Sequence, residues 1–195
     1  MRQTPSGCRP KMDHEILLAT ERIYLRRFGP EDASLLFALD NDPEVMRFIS
    51  KGPPTSLKRI QEEIMPRLLG YYRPGPQQGF WVAHLRANDE FIGWFHLRPD
   101  KLVPKEMELG YRLMRRVWGR GLATEGSRAL IGRAFGEWNY GRVCARTLAA
   151  NLASRRVMEK SGLLFEEEFV WAAEVMPEWN EEERRGVKYG LANVK

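Results

Sequence analysis

The sequence predicts a mixed α/β protein, and three observations predict that class. Residues 106–114 alternate apolar and polar side chains with the two-residue period of a half-buried strand. Between Ala123 and Trp138, apolar residues recur at spacings of three and four, the pattern of an amphipathic helix of about four turns. Further strand-like and helix-like segments give the whole chain the order β-α-α-β-β-β-α-β-α-β-β.

The elements before this strand have recognisable start and stop signals. Pro30 and the two acids after it start a helix, and the Pro-Gly-Pro turn at 74–76 follows the end of a second helix. An Ala-Asn-Asp turn joins two strands as a hairpin. The predicted segments are strand 22–28, helix 30–40, helix 56–72, strand 79–86 and strand 90–98.

The last elements are a strand at 142–149, a helix at 151–161 closed by Gly162, and strands near 163–171 and 185–192. A chain of 195 residues that is 43% hydrophobic can form one compact domain with a substantial core. The sequence therefore predicts an N-terminal tail, residues 1–17, and one domain, residues 18–195.

The junction between the 106–114 strand and the following helix carries Gly119 and Gly121. About four amides at a helix N-terminus lack intrahelical partners and carry the positive end of the helix dipole, so they stabilise an anion. The glycines allow a tight turn, and Arg115, Arg116 and Arg120 add charge. The junction is thus a candidate phosphate site, with an ordinary surface turn as the alternative.

Two other phosphate-binding motifs fit less well. A dinucleotide-binding fingerprint requires a third glycine where Thr124 stands, and no G-x-x-x-x-G-K-[ST] motif occurs. These absences disfavour a dinucleotide-binding fold and a P-loop NTPase.

Two motifs in this region resemble a known family. The loop Arg116-x-x-Gly119-x-Gly121-x-Ala123 resembles the pyrophosphate loop of the GNAT superfamily of acyl-CoA-dependent N-acetyltransferases. The longer strings Glu108-Leu-Gly-Tyr111, Trp118-Gly-Arg-Gly-Leu-Ala-Thr-Glu125 and Asn151-x-x-Ser154-x-x-Val157-Met-Glu-Lys160-x-Gly162 are similar to the branch that contains the bacterial ribosomal-protein N-terminal (alanine/serine) acetyltransferases. The resemblance extends over about residues 18–191.

This resemblance implies a mixed, mainly antiparallel sheet of seven strands with about four flanking helices, in which the fourth and fifth strands splay apart. It also implies acetyl-CoA as cosubstrate. The residues implied at the cosubstrate are Leu113, Met114, Arg116, Val117, Trp118, Gly119, Arg120, Gly121, Leu122, Ala123, Thr124 and Asn151.

Amide formation requires an uncharged amine, a donor for the developing oxyanion and a hydrogen bond or proton for the departing thiolate. The resemblance implies direct attack without a covalent enzyme intermediate, a free backbone N–H at Leu113 or Met114, and the Ser154 hydroxyl facing the sulfur. Two structural alternatives remain open: Asn151 is an N-cap, and the Ser154 hydroxyl bonds back to the preceding turn.

Helical spacing places Ser154 on the same inward side as Val157, Met158 and Ser161. The residues of this helix that are expected to point elsewhere are Arg155, Arg156, Glu159 and Lys160. In several GNAT enzymes a tyrosine of this helix acts as the acid. Met158 stands at that place here, which leaves Ser154 as the sulfur partner.

Glu108 is the candidate general base, acting through water; the alternative is an exposed carboxylate paired with Arg112. Glu174 is a second candidate carboxylate. A protein α-amine has a pKa of about 8 and is partly neutral at pH 7, whereas a lysine amine, with a pKa of about 10.4, is almost entirely charged. A weak base therefore favours an α-amine acceptor.

The net charge of +5 is unevenly distributed. Residues 163–183 contain eight acids and no lysine or arginine, and the rest of the chain is strongly basic. A basic part suits a phosphate-rich cosubstrate, and an acidic part attracts an amine. No aromatic pattern typical of RNA binding accompanies the basic residues, which disfavours a nucleic-acid partner.

Two cysteines, Cys8 and Cys144, make neither a disulfide framework nor a metal site, and the apolar run at 16–19 is too short for a signal peptide or a membrane span. The expected location is the cytoplasm, without membrane association. Oligomeric state is open, and a homodimer is one of the states allowed.

The sequence thus predicts an acetyl-CoA-dependent N-acetyltransferase acting on a protein N-terminal α-amine. One alternative acceptor is a small amine such as a polyamine, an amino acid or an aminoglycoside. The other alternative is a CoA-binding module without turnover.

Overall fold

The computed structural model describes residues 15–75 and 77–194. These residues form one eight-stranded sheet in the order β1-β2-β3-β4-β5-β6-β8-β7. The strands are β1 (Ile16–Ala19), β2 (Ile23–Arg27), β3 (Gly79–Leu85), β4 (Phe91–Pro99), β5 (Met107–Leu113), β6 (Arg142–Leu148), β7 (Leu164–Val170) and β8 (Arg185–Ala192). All neighbouring strands are antiparallel except β5 and β6, which are parallel.

The predicted mixed, mainly antiparallel sheet is confirmed, with one strand more than expected. The additional strand, β1, pairs with β2 at the edge of the sheet. Ile16 and Leu17, which the prediction assigned to the tail, belong to this strand. Residues 1–14 of the predicted tail lie outside the described residues.

The helices are α1 (Ala33–Asp40), α2 (Pro43–Met46), α3 (Leu57–Arg59), α4 (Met65–Gly70), α5 (Leu122–Gly136) and α6 (Leu152–Lys160), with a π-helical turn at Ile60–Ile64 that joins α3 to α4. The Ser56 hydroxyl caps this joined helix by accepting a hydrogen bond from the Arg59 amide at 3.2 Å. The short helix α2 was not predicted; Asp42 caps it through the Glu44 amide at 2.9 Å, and Pro43 occupies its first position.

Apolar side chains pack on both faces of the sheet because successive strand residues point to opposite sides. One cluster contains Trp81, Phe95 and Leu109 from the strands and Leu130 from α5. The other contains residues of α1, α2, the π-helical turn, α4 and β3. The sheet therefore lies between α5–α6 on one face and α1–α4 on the other.

A buried ion pair joins the end of β4 to β6. Asp100 pairs with Arg146, and their side chains are only 2% and 4% exposed. The second Asp100 oxygen, Oδ1, accepts hydrogen bonds from the Leu102 and Val103 amides at 2.8 and 2.6 Å. These contacts hold the turn that leads into β5 against β6.

Within residues 15–75 and 77–194, no helix has the length and apolar character needed to cross a membrane. The same residues contain no group of histidine, cysteine and carboxylate side chains that could hold a metal ion. Cys144 is buried in β6, and burial raises its pKa to about 12. Cys8 lies outside the described residues.

Candidate active site

The two parallel strands β5 and β6 meet at only one end. They pair at Met107–Val143 and Glu108–Cys144, and beyond these positions they have no register partners on each other. A cavity of about 570 Å³ lies where the strands have separated. Its size is within the usual range for a small-molecule site. The predicted splaying of the fourth and fifth strands of the expected sheet therefore appears as the opening between β5 and β6.

The loop between β5 and α5 forms one wall of this cavity. Val117 is buried and anchors the loop, whereas Gly119 and Gly121 have left-handed φ angles of 73° and 78°. Only glycine adopts these angles routinely, so the loop conformation depends on the two glycines. Helix α5 begins directly after Gly121, and no side chain among residues 15–75 and 77–194 caps its first turn. Its first amides are therefore available to an anion.

A carboxylate braces the loop from behind. Glu125 in α5 accepts hydrogen bonds from the Thr20 hydroxyl at 2.5 Å and from Arg22 Nε at 2.6 Å. Arg22 Nη1 also donates to the Arg120 carbonyl at 2.9 Å. Burial would raise the pKa of Glu125, but these hydrogen bonds lower it below its usual value. The turn between β1 and β2 thus holds the loop in place.

Nine of the twelve residues predicted at the cosubstrate line the cavity: Leu113, Val117, Trp118, Gly119, Gly121, Leu122, Ala123, Thr124 and Asn151. Met114, Arg116 and Arg120 are outside this lining. The Arg116 side chain is engaged elsewhere, because it pairs with Glu90 and donates to the Phe91 carbonyl at 2.6 Å. The expectation that its charge surrounds the phosphate site is not met in this structure.

The backbone at the end of β5 distinguishes the two candidate oxyanion donors. The Met114 amide donates to the Ile92 carbonyl at 2.9 Å and is therefore occupied. Amides of successive residues in an antiparallel strand point alternately toward and away from the partner strand, so the Leu113 amide points away from β4, toward the opening. The Leu113 carbonyl, on the same side, accepts a hydrogen bond from Trp118 Nε1 at 2.8 Å. The geometry favours Leu113 over Met114.

Helix α6 forms the opposite wall. Asn151 caps it by accepting a hydrogen bond from the Ser154 amide at 3.1 Å, and Asn151 and Ser154 both line the cavity. Asn151 is therefore an N-cap, which was its structural alternative, and it also lines the cavity. The Ser154 hydroxyl lies 3.0 Å from the hydroxyl of Tyr111, a residue of β5 that the site prediction did not include.

The orientation of α6 differs from the prediction. Arg156 and Lys160 line the cavity together with Ser154 and Val157, whereas Met158 is buried in the core. Arg156 and Lys160 were expected to point elsewhere, and this was wrong. Their four-residue spacing places them on one side of the helix, which is the signal that could have identified them. They supply positive charge at the cavity that Arg116 does not.

Glu108 is held on the other face of β5. It is 14% exposed and forms an ion pair with Arg98, and Arg112 is paired with Asp40 instead. The alternative of an exposed carboxylate paired with Arg112 was therefore wrong. Burial raises the pKa of Glu108, although Arg98 and Lys101 oppose the rise. Glu108 is outside the cavity lining, so its predicted role would require water between it and the amine.

Two segments that are distant in the sequence meet beside the cavity. Phe48 and Ile49 line the cavity, and Lys51, which follows them, pairs with Glu183 at 2.6 Å. The Lys51 ammonium also lies 4.8 Å from the centre of the Trp179 ring. The segment between β7 and β8 therefore contacts residues beside the cavity. Glu174 is exposed in this segment and is outside the cavity lining.

Residues 22–164 match a family model described as an acetyltransferase (GNAT) domain. An Aspergillus fumigatus protein named FsC-acetyl coenzyme A-N(2)-transacetylase is 36% identical over 160 residues, which cover 78% of this chain and 66% of that protein. The chain thus spans slightly less than two thirds of this relative.

Two solved structures share the fold. RimL, a ribosomal-protein α-N-acetyltransferase in complex with coenzyme A, has a TM-score of 0.74 and 18% identity, covering 91% of this chain and 98% of its own. A spermidine N-acetyltransferase from Vibrio cholerae, in complex with coenzyme A and spermine, has a TM-score of 0.71 and 15% identity, covering 90% and 98%.

The family model matches most of the chain and includes both motifs that carried the resemblance. The identification as an acyltransferase is therefore confirmed at the level of the family. This chain belongs to the GNAT family of acetyltransferases, whose cosubstrate is acetyl-CoA.

Proposed function

We propose that this chain acetylates a primary amine, with a protein N-terminal α-amine as the acceptor, by direct attack of the amine on acetyl-CoA. The observation that carries the proposal is the cavity between β5 and β6, which begins at the uncapped N-terminus of α5. A ligand with phosphates at one end and a narrow arm fits this arrangement, because the backbone amides and the side chains of Arg156 and Lys160 complement the phosphates.

The chain's own groups divide the reaction between them. The α5 amides bind the phosphates, and the Leu113 amide donates to the carbonyl oxygen as negative charge develops there. The Ser154 hydroxyl donates a hydrogen bond to the departing sulfur. Glu108 accepts the amine proton through water, and Glu174 is the second candidate for that role.

The α-amine acceptor is supported by the composition of the cavity wall. Its lining in the described chain contains one carboxylate, Glu44, and no histidine. A site without a strong base is best suited to an amine that is already partly neutral at pH 7, which is true of an α-amine and not of a lysine. The RimL protein, with the same fold, is named for an α-N-acetyltransferase activity.

A small amine is the second candidate. Glu44 at the cavity and the acidic segment between β7 and β8 would attract a polycation. The Vibrio protein named for spermidine shares the fold, and the fungal relative is named for N(2) transacetylation. The third candidate, an acyl-CoA-binding module without turnover, is retained as an outcome of the experiment.

Thiol release from acetyl-CoA, measured with paired acceptors, tests these candidates. Each peptide is supplied with a free N-terminus and with a blocked one, and polyamines, amino acids and aminoglycosides complete the panel. Release with free peptides alone supports the proposal. Release with small amines alone selects the second candidate, and calorimetric binding of acetyl-CoA without release from any acceptor selects the third.

The role of Glu108 is tested by the pH dependence of kcat/KM. Because its pKa is raised, the acidic limb should lie above the range of an ordinary glutamate, and Arg98→Met should move it to still higher pH. The amine contributes equally in both enzymes, so the displacement belongs to the carboxylate. An unmoved limb, or full activity in Glu108→Gln, would transfer the role to another group.

The proposal also includes a cytoplasmic location, one domain, whose predicted start at residue 18 is moved to Ile16 because β1 belongs to the sheet, and a homodimer as one of the allowed oligomeric states. Light scattering of the purified protein tests the last of these.

A further inference from the structure

We propose that Tyr111 is a positioning residue for the acetyl transfer, and that its phenol orients the Ser154 hydroxyl toward the leaving sulfur. This inference rests on the proposed function. The Tyr111 hydroxyl of β5 would thus act through Ser154 of α6, across the opening between the two strands β5 and β6.

The contact is defined by two distances. The Tyr111 hydroxyl lies 3.0 Å from Ser154 Oγ and 3.0 Å from the Ser154 carbonyl oxygen. The Tyr111 ring packs on Phe95 with ring centres 6.1 Å apart, which fixes its position on the sheet. Tyr111 and Ser154 both line the cavity. The pair therefore joins the two walls at the place where they face the cavity.

The helix side of the contact is also fixed. Asn151 holds the Ser154 amide at 3.1 Å, so the backbone of Ser154 cannot move independently of the first turn of α6. Met158 is buried at 3% exposure and presents no hydroxyl to the cavity. Within the described chain, Tyr111 is thus the phenol that contacts Ser154.

The number of hydrogens on the Tyr111 and Ser154 hydroxyls limits the hydrogen bonds that they can donate. Each hydroxyl has one hydrogen and can accept two hydrogen bonds. If Tyr111 donates to Ser154 Oγ, the serine hydrogen is free to point into the cavity. If Ser154 donates to Tyr111, while Tyr111 donates to the Ser154 carbonyl, the serine hydrogen is consumed. A negatively charged sulfur in the cavity favours the first arrangement, because only that one supplies it with a donor.

Neither hydroxyl needs to ionise in this scheme. The C–N bond forms and the C–S bond breaks, the nitrogen loses one proton overall, and the sulfur gains one. Burial raises the pKa of Tyr111 well above its ordinary value, so the phenol remains protonated throughout the working pH range. The pair stabilises the thiolate by hydrogen bonding, and solvent or the general base completes the proton exchange.

Tyr111→Phe removes the phenolic oxygen and leaves the ring packed on Phe95. A lost hydrogen bond of ordinary strength predicts a fall in kcat of about threefold to tenfold, with the KM and calorimetric affinity for acetyl-CoA unchanged. Tyr140→Phe is the matched control, since the Tyr140 hydroxyl contacts the Gln77 carbonyl at 3.4 Å, away from Ser154. Its kcat should equal that of the wild type.

A double-mutant cycle separates positioning from packing. Ser154→Ala should lower kcat at least as far as Tyr111→Phe, and adding Tyr111→Phe to Ser154→Ala should cause no further loss. A structural role for Tyr111 would instead lower kcat by the same factor in both backgrounds, or weaken acetyl-CoA binding, and either result overturns the inference. An unchanged kcat in Ser154→Ala overturns it independently of how Tyr111→Phe folds.

Different results would overturn the proposed function and the role of Tyr111. Absence of wild-type thiol release with every amine would overturn the proposed function and this inference together. Wild-type turnover combined with an unchanged kcat in Tyr111→Phe would overturn only the role of Tyr111.

Discussion

The two ends of the opening between β5 and β6 satisfy their polar groups in different ways. At the closed end the strands are paired, and the Asp100–Arg146 ion pair is buried beside them. At the open end the Leu113 amide, the first amides of α5 and the Ser154 hydroxyl border a cavity. The closed end therefore holds the strands together through contacts within the chain, and the open end offers donors to an anionic ligand.

The largest expected effect comes from breaking the closed end. Arg146→Leu would leave the Asp100 carboxylate buried without its charged partner, at a cost of about 3–5 kcal/mol in the free energy of unfolding. Urea denaturation of the wild type and the variant measures this loss in the free energy of unfolding. Arg185→Leu is the matched control, because Arg185 pairs with Glu168 on the same sheet but is half exposed. Equal losses in the two variants would mean that burial does not distinguish the pairs.

A second effect concerns His96 of β4, which pairs with Gly110 of β5. Neither ring nitrogen has a partner in the described part of the chain, and burial, with Arg98 and Arg112 nearby, lowers its pKa well below the ordinary value. The unfolded chain takes up a proton near pH 6.5 that the native protein does not. Stability is therefore lost as the pH falls below about 6.5, by at most about 2 kcal/mol at pH 5.

His96→Leu should remove this pH dependence. The wild type should lose stability relative to the variant between pH 8 and pH 5, as measured by urea denaturation at each pH. Parallel pH profiles for the two proteins would show that His96 does not carry the effect.

A third effect separates binding from stability at the open end. In Gly119→Ala the new Cβ lies in open space. The φ of 73° strains an alanine at this position by about 1–2 kcal/mol, and this strain alters the loop that faces the ligand. We expect acetyl-CoA affinity to fall roughly tenfold by calorimetry. Gly132→Ala in α5 also meets no neighbouring atom, but its φ is ordinary, so it should leave affinity unchanged. Similar affinities for both variants would contradict the role of the loop.

The features of the site that depend on neighbouring residues could be predicted from the sequence, and those that depend on distant residues could not. Gly119 and Gly121 act through local backbone geometry, and the Asn151 cap acts over three residues, so both could be predicted from neighbouring residues. The engagement of Arg116 by Glu90 spans 26 residues, and the Tyr111–Ser154 contact spans 43. Such contacts depend on how helices and strands are packed, which local patterns do not determine.

The sheet edge and α6 illustrate the same limit. Strand β1 has four residues and obtains its hydrogen bonds from β2, so a short apolar run gave no strand signal by itself. The rotation of α6 follows the burial of Met158, and that burial turns Arg156 and Lys160 toward the cavity. In both cases, strand pairing or side-chain packing determined a structure that the local sequence pattern does not specify.

The smallest expected effect lies beside the cavity residues Phe48 and Ile49, where the contact between Lys51 and Glu183 joins segments 132 residues apart in the sequence. Both side chains are more than a third exposed, so the contact adds little to stability and is screened by salt. Glu183→Gln should raise the KM of the acceptor a few-fold and leave the affinity for acetyl-CoA unchanged, because Phe48 and Ile49 border the cavity just before Lys51. Glu182→Gln is the control, since Glu182 pairs locally with Arg185.

Added salt provides the second half of this test. It should raise the acceptor KM of the wild type toward that of Glu183→Gln and change the variant less, because the variant has already lost the screened contact. The acceptor should be an uncharged-side-chain peptide, so that salt does not act mainly through its other charges. If Glu182→Gln has the same effect, the general acidity of the segment determines acceptor binding. If acetyl-CoA affinity changes instead, the contact between Lys51 and Glu183 acts on cosubstrate binding and not on the acceptor.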